Sequence, residues 1–190
     1  MFCYYEKRCK KRAHGKDIKK KMFKMFFPDV VMESAYDIDY EKLYEKGYRG
    51  IIFDVDNTLV PHGAPADDKA IALFQRLKKI GYKAVLLSNN KEPRVKMFND
   101  VVKVQYIFKA GKPGRRGYER AMEMMGTDLD STFFVGDQLF TDVWGAKRVG
   151  MRNFLTKPIH PKEEIQIVLK RYLEKIVLFF YNRQSSIEEE

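Results

Sequence analysis

A chain of 190 residues is long enough for one α/β domain with a well-buried core and short extensions, but not for two full domains. An apolar fraction of 45% with 14% aromatics excludes a disordered chain, and no uninterrupted apolar run reaches the roughly 18 residues of a membrane span. The net charge of +10 suggests a nucleic-acid binder until it is located: Met1 to Lys24 holds ten basic and two acidic residues, so everything after it is nearly neutral.

Residues 1–25 therefore read as a basic, disordered N-terminal tail. The clusters Lys10-Lys11-Arg12 and Lys19-Lys20-Lys21 suit RNA or anionic lipid. The plainer alternatives are a solvated arm, or residues upstream of a true start at Met22 or Met25. The tail has no apolar core behind its basic residues, so it is not a secretory signal. Cys3 and Cys9 have no zinc-like spacing and imply no disulfide framework; a cytoplasmic setting fits.

A domain is expected over 26–160. A loop and short helix lead in up to Gly47, with Leu43 and Tyr44 packing on a sheet. Strand 50–55 is followed by a helix from Asp67 to Lys79, stopped by Gly81. Strand 83–88 precedes a helix from Glu92 to Asn99, and strand 104–108 precedes one from Arg115 to Met125, ending at Gly126. Strand 132–135 leads into a helix from Phe140 to Arg148, closed by Gly150 before a short strand from Met151 to Leu155. Alternating strands and helices with right-handed connections give an α/β three-layer sandwich around a parallel sheet.

The chemistry gathers at the strand ends. Asp54 and Asp56 follow the apolar run Gly50-Ile51-Ile52-Phe53, and two acids at the mouth of a buried strand call for a cation or a proton-transfer role. Asp54 reads as a nucleophile towards phosphorus and Asp56 as the acid/base serving leaving group and water. Taken alone, the stretch could be a strand followed by an Asx-type turn. Ser88 and Asn89 end the next strand, where a hydroxyl and backbone N–H groups can hold phosphate oxygens. Lys112 then offers a cation, and Asp137 with Asp142 a second acidic pair. Individually these could be a helix N-cap, a solvated lysine and helix-charging acids. Their order along strands that share one edge of a parallel sheet favours a single site.

The motifs at Asp54-Val-Asp56-Asn-Thr58, Ser88, Lys112 and Asp137 to Asp142 resemble those of the haloacid dehalogenase (HAD) superfamily of phosphohydrolases, in its class IIIA, YqeG-type branch. The resemblance covers about Phe26 to Lys157. It implies a HAD-like Rossmannoid fold and an aspartyl-phosphate formed on Asp54, with Asp56 as general acid and then base. Thr58, Ser88, Asn89 and Lys112 are then on the substrate-binding side. Asp54, Asp56 and Asp137 are the expected metal residues, with carboxylates, a backbone carbonyl, water and substrate around Mg2+. Asp142 supports the metal site. Asn57 stands where many members carry glycine.

The intervals after Val60 and after Ser88 are too short for a cap domain, so the fold is expected to be capless with an open site. That favours a large or surface-bound substrate, or a lid from a neighbouring subunit in an oligomer. Relatives of this branch act on phosphatidylglycerophosphate, which makes a membrane lipid phosphate the leading substrate. From Pro161 an amphipathic helix and acidic tail are expected over 161–190, with Ile165, Val168, Leu169, Tyr172, Leu173, Ile176 and Phe180 at helical spacing. It would lie peripherally on the inner face of the membrane, or cover the sheet or a dimer surface. Two other functions stay open: a nucleic-acid end phosphatase or nucleotidase, although nucleic acid is disfavoured as a partner, and a non-catalytic binding protein on the same fold.

Overall fold

The computed structural model describes residues 24–160, 173–179 and 181. Most of the expected N-terminal tail, and the parts of the C-terminal segment at 161–172, 180 and 182–190, lie outside the described residues.

Six strands form one parallel sheet: β1 (Val30–Met32), β2 (Gly50–Phe53), β3 (Lys83–Leu87), β4 (Gln105–Ile107), β5 (Thr132–Gly136) and β6 (Arg152–Thr156). Their spatial order is β1-β6-β5-β2-β3-β4. The chain therefore winds outward from β2 through β3 to β4, then returns to the other side of β2 at β5. The C-terminal ends of β2 and β5 flank the point where winding reverses, the place where open α/β sheets leave a crevice for ligands.

The helices are α1 (Tyr40–Glu45), α2 (Asp68–Ile80), α3 (Glu92–Val102), α4 (Arg115–Met125) and α5 (Trp144–Val149). The two-residue period of the strands decides which layer each side chain joins. Ile51, Phe53, Leu86, Phe133 and Val135 pack with Tyr40, Phe74, Leu77 and Phe98 on one face. Ile52, Val85, Leu87 and Phe134 pack with Tyr118, Ala121, Met125 and Ala146 on the other. Helix limits follow local chemistry. The Asp67 side chain accepts from the Ala70 N–H at 2.8 Å to start α2. Gly81 ends it at φ +108°, a left-handed conformation that a β-carbon would disfavour.

Two elements differ from the sequence expectation. The lead-in segment contains β1 as well as α1, so the sheet has a sixth strand. Three residues are too few to show a period, and Asp29 supplies what they lack. Its carboxylate accepts from the backbone N–H and side-chain amide of buried Asn153 on β6, at 3.0 and 2.7 Å. The single helix expected from Phe140 to Arg148 is a π-helical turn, Leu139–Val143, running into α5.

The C-terminal helix at 173–179 lies against the fold, with Val177 buried beside Leu139, Val143 and Leu155. Of the apolar residues expected at helical spacing, Leu173 and Ile176 fall among the described residues. Leu173 and Ile176 are exposed, whereas Glu174 is buried and accepts from the Leu139 N–H at 2.7 Å. A backbone donor without a helical partner sets the facing of this helix. No helix among the described residues is long and apolar enough to cross a membrane.

Candidate active site

Four strand ends build the site. Asp54 follows β2, and its backbone N–H donates to Val135 O on β5 at 2.9 Å, fixing it beside the strand that delivers Asp137. Asp142 comes from the π-helical turn, where its carboxylate accepts from the Gln138 N–H at 3.1 Å and its carbonyl accepts from the Tyr118 hydroxyl at 3.2 Å. Gly136 is required here, because a β-carbon on it would stand 2.5 Å from Asp142 Oδ2. One carboxylate oxygen from each of Asp54, Asp137 and Asp142 lies within 4.8 Å of the others, and all three residues are buried.

Lys112 enters this acidic group from the loop after β4. Its Nζ donates to Asp54 Oδ1 at 2.5 Å and to Asp142 Oδ1 at 2.7 Å. Asn89 holds the lysine in place: its side-chain oxygen accepts from the Lys112 N–H at 2.7 Å and its amide donates to the Lys112 carbonyl at 3.0 Å. Asn89, expected on the substrate-binding side, thus has its amide engaged with the Lys112 backbone. The Ser88 hydroxyl accepts from the Asn90 N–H at 3.1 Å, which shapes the loop after β3. Thr58 Oγ1 lies 3.2 Å from Asp137 Oδ1 and 3.5 Å from Asp54 Oδ2, tying the first motif to the last. Asn57 has φ +61°, a conformation that glycine adopts freely and asparagine tolerates, which accounts for both residues at this turn.

Electrostatics follow from one ammonium among three carboxylates. Burial raises the Asp54 pKa to about 7, against the pull of Lys112, with Asp142 adding to the rise. Burial weighs against the Lys112 cation too, but Asp142 and Asp54 more than offset it and hold the lysine pKa above its ordinary value. The group is short of positive charge. Hard carboxylate oxygens at this spacing, with one lysine for three acids, fit a divalent cation.

Asp56 is not in that group. Its Oδ1 accepts from the Gly63 N–H at 2.8 Å and from Arg94 Nε and Nη2 at 3.0 and 2.8 Å, and its Oδ2 accepts from Asn90 Nδ2 at 2.7 Å. His62 Nδ1 stands 3.7 Å away. Any share Asp56 has in holding a metal would come through its backbone. Sequence reasoning missed Arg94, the side chain of Asn90 and the part played by Tyr118. For Arg94 a signal existed: a cation in the first turn of α3 opposes the helix dipole and calls for a partner elsewhere.

Comparison with known proteins agrees with this geometry. The family model described as HAD-hydrolase-like matches residues 109–158. The protein named "Probable phosphatase YqeG" in Bacillus subtilis (strain 168) is 35% identical over 168 residues, 88% of this chain and 98% of that protein. Phosphatidylglycerophosphate phosphatase 1, chloroplastic/mitochondrial, of Arabidopsis thaliana is 27% identical across 78% of this chain, which spans only 48% of that longer protein. Among solved structures, a Vibrio cholerae protein named for 3-deoxy-D-manno-octulosonate 8-phosphate phosphatase activity aligns with a TM-score of 0.50 at 15% identity, over 63% of this chain and 73% of that one. The chain therefore belongs to the HAD superfamily, as a capless α/β phosphatase of the YqeG-like branch.

Proposed function

We propose that the protein is a magnesium-dependent phosphomonoesterase that works through an aspartyl-phosphate on Asp54, with a membrane lipid phosphate such as phosphatidylglycerophosphate as its substrate. The observation that carries this reading is the position of Asp54, a buried carboxylate between Lys112 and the two acids of the last motif. Asp54, Asp137 and Asp142 would hold the magnesium, which would neutralise charge on the phosphoryl oxygens and favour in-line attack.

In the first step an Asp54 oxygen bonds to phosphorus and the ester P–O bond breaks. Asp56 gives its proton to the departing alkoxide. In the second step water attacks the aspartyl-phosphate, Asp56 takes the water's proton, and the bond from phosphorus to Asp54 breaks to release inorganic phosphate. The Gly63 N–H and the Asn90 amide keep Asp56 aimed during both steps. Lys112 stays protonated and offsets the charge of Asp54 and the phosphoryl group together.

Three observations support the lipid. The segment 54–67 between β2 and α2 holds only a loop, so the mouth stays open to a bulky substrate. The Arabidopsis thaliana and Chlamydomonas reinhardtii relatives are named for phosphatidylglycerophosphate. A largely apolar cavity of about 320 Å³ lies beside Asp137, lined by Val31, Leu139, Leu155, Pro158 and Leu178 together with Lys157, Lys175 and Glu174. Lys157 already pairs with Glu33 at 2.6 Å, but an apolar hollow with exposed Lys175 suits an anionic lipid, and would place the protein on the cytoplasmic face of a membrane. Purified protein with magnesium should hydrolyse p-nitrophenyl phosphate and lose that activity in EDTA. Within a panel of lipid, nucleotide and sugar phosphates, phosphatidylglycerophosphate in mixed micelles should rank first. A nucleotide or a nucleic-acid end ranking first would refute the lipid assignment.

A further inference from the structure

Arg94 is a charged group of the site that the two chemical steps leave without a role. Its side chain is only 13% exposed and turns onto Asp56, yet the pairing is lopsided. Nε and Nη2 both donate to Oδ1, an oxygen that already accepts from the Gly63 N–H, while Oδ2 is taken by Asn90. Three donors crowd one oxygen. A guanidinium fork matches two oxygens of a carboxylate or phosphate, and here that match is not made. Nη1 is buried with no hydrogen-bond partner among the described residues. Burying a donor unpaired is unfavourable, the more so when it is charged, so the resting arrangement favours a better partner for Arg94.

The position says which partner. Asp56 serves the leaving oxygen, so a side chain lying on Asp56 borders the leaving group, whereas the transferred phosphoryl faces Lys112 and the acidic group. Asn90 and Gly63 continue to hold Asp56 when Arg94 turns away. The neighbouring acid on α3, Glu92, accepts from the Tyr106 hydroxyl at 3.3 Å. Lys91 and Lys109 are exposed nearby, and the Lys109 N–H donates to Asn90 O, so this rim of the mouth is basic.

We infer that Arg94 is a specificity-determining residue that binds a second anion on the leaving group, so that the protein prefers phosphomonoesters whose alcohol also carries a phosphodiester. The inference rests on the phosphomonoesterase reading, because that reading defines which side of the site the leaving group occupies.

The test compares affinities in full-length Asp54→Asn protein with magnesium, using calorimetry on two matched esters. One is glycerol phosphate; the other is glycerophosphoglycerophosphate, the same ester with a phosphodiester on its alcohol. The second should bind about tenfold or more tightly, the order expected of a charge-assisted hydrogen bond. Adding Arg94→Gln should bring the two affinities near parity, and Arg94→Lys, which keeps a charge but not the fork, should retain part of the preference. Equal affinities at the outset, no binding of the diester-bearing ester at millimolar concentration, or a preference that survives Arg94→Gln would each overturn the inference. If circular dichroism shows Arg94→Gln unfolded, Arg94→Lys decides, and an undiminished preference in it overturns the inference. Failure of the unaltered protein to hydrolyse either ester would sink the phosphomonoesterase reading separately, since it leaves the affinity ratio untouched.

Discussion

Asp54 and Asp56 stand two residues apart on one turn of chain, yet they sit in opposite surroundings. Asp54 faces two other carboxylates and shares a single lysine with one of them. Asp56 faces an arginine, an amide and a backbone N–H, with a histidine beside them. Identical side chains are thereby given different work. The first is starved of positive charge and suited to a divalent cation and an electrophilic phosphorus. The second is surrounded by donors and held in orientation for proton transfer.

The largest effect should come from breaking the first half. Asp54→Asn keeps the shape and one hydrogen-bonding oxygen but cannot form the covalent intermediate. Turnover of p-nitrophenyl phosphate with magnesium should fall by about 10⁴-fold or more, while the circular dichroism spectrum stays that of the parent. Retention of activity within about tenfold of the parent would remove Asp54 from the role of nucleophile.

A smaller effect, on stability, follows from the same crowding of charge. In the metal-free protein Asp54 keeps its proton up to about pH 7, whereas in the unfolded chain it releases it near the ordinary carboxylate value. Between roughly pH 4 and 7 the folded state therefore binds more protons, so stability from this group falls as pH rises through that window and levels off above it. A divalent cation needs the ionised carboxylate, so its binding displaces a proton below pH 7 and strengthens towards pH 8. Differential scanning fluorimetry in EDTA should show the parent losing melting temperature relative to Asp54→Asn between pH 5 and pH 7.5. Magnesium should restore more at pH 8 than at pH 5.5. A parent and variant that track each other across the window would mean that Asp54 is not the titrating group.

The two halves also differ in how far the sequence disclosed them. Asp54 and Asp137 stand directly after strands whose apolar residues mark their ends, Lys112 lies in the loop after β4, and Asp142 follows Asp137 within the same motif, so a linear reading could place all four at one sheet edge. Glycines at 81, 126 and 150 stop the helices through backbone conformation alone, and those limits were legible for the same reason. What surrounds Asp56 was less visible. Arg94 and the Asn90 side chain reach it from α3 and the loop before it, and nothing local to the first motif announces them. In sequence the π-helical turn carrying Asp142 is indistinguishable from ordinary helix, since its geometry depends on Tyr118 and Gln138 gripping it. Nothing in the apolar spacing of the C-terminal helix announces that buried Glu174 reaches the Leu139 N–H.

The smallest predicted effect tests whether the halves are separable. Asn90→Ala removes the donor to Asp56 Oδ2 and leaves the Gly63 N–H on Oδ1, joined at rest by Arg94, so the carboxylate is held from one side only. The general acid loses aim without losing charge, and kcat should fall about tenfold, a fraction of what proton transfer contributes. Stability should fall by only about 1 kcal/mol, the net worth of one partly buried hydrogen bond. Magnesium affinity, followed by the shift in melting temperature across a titration, should stay within about twofold, because the Asn90 amide donates to Asp56, outside the carboxylate cluster. A loss of magnesium affinity as large as the loss of rate would mean that Asp56 and the metal-holding acids move as one unit, and that the division between them is not real.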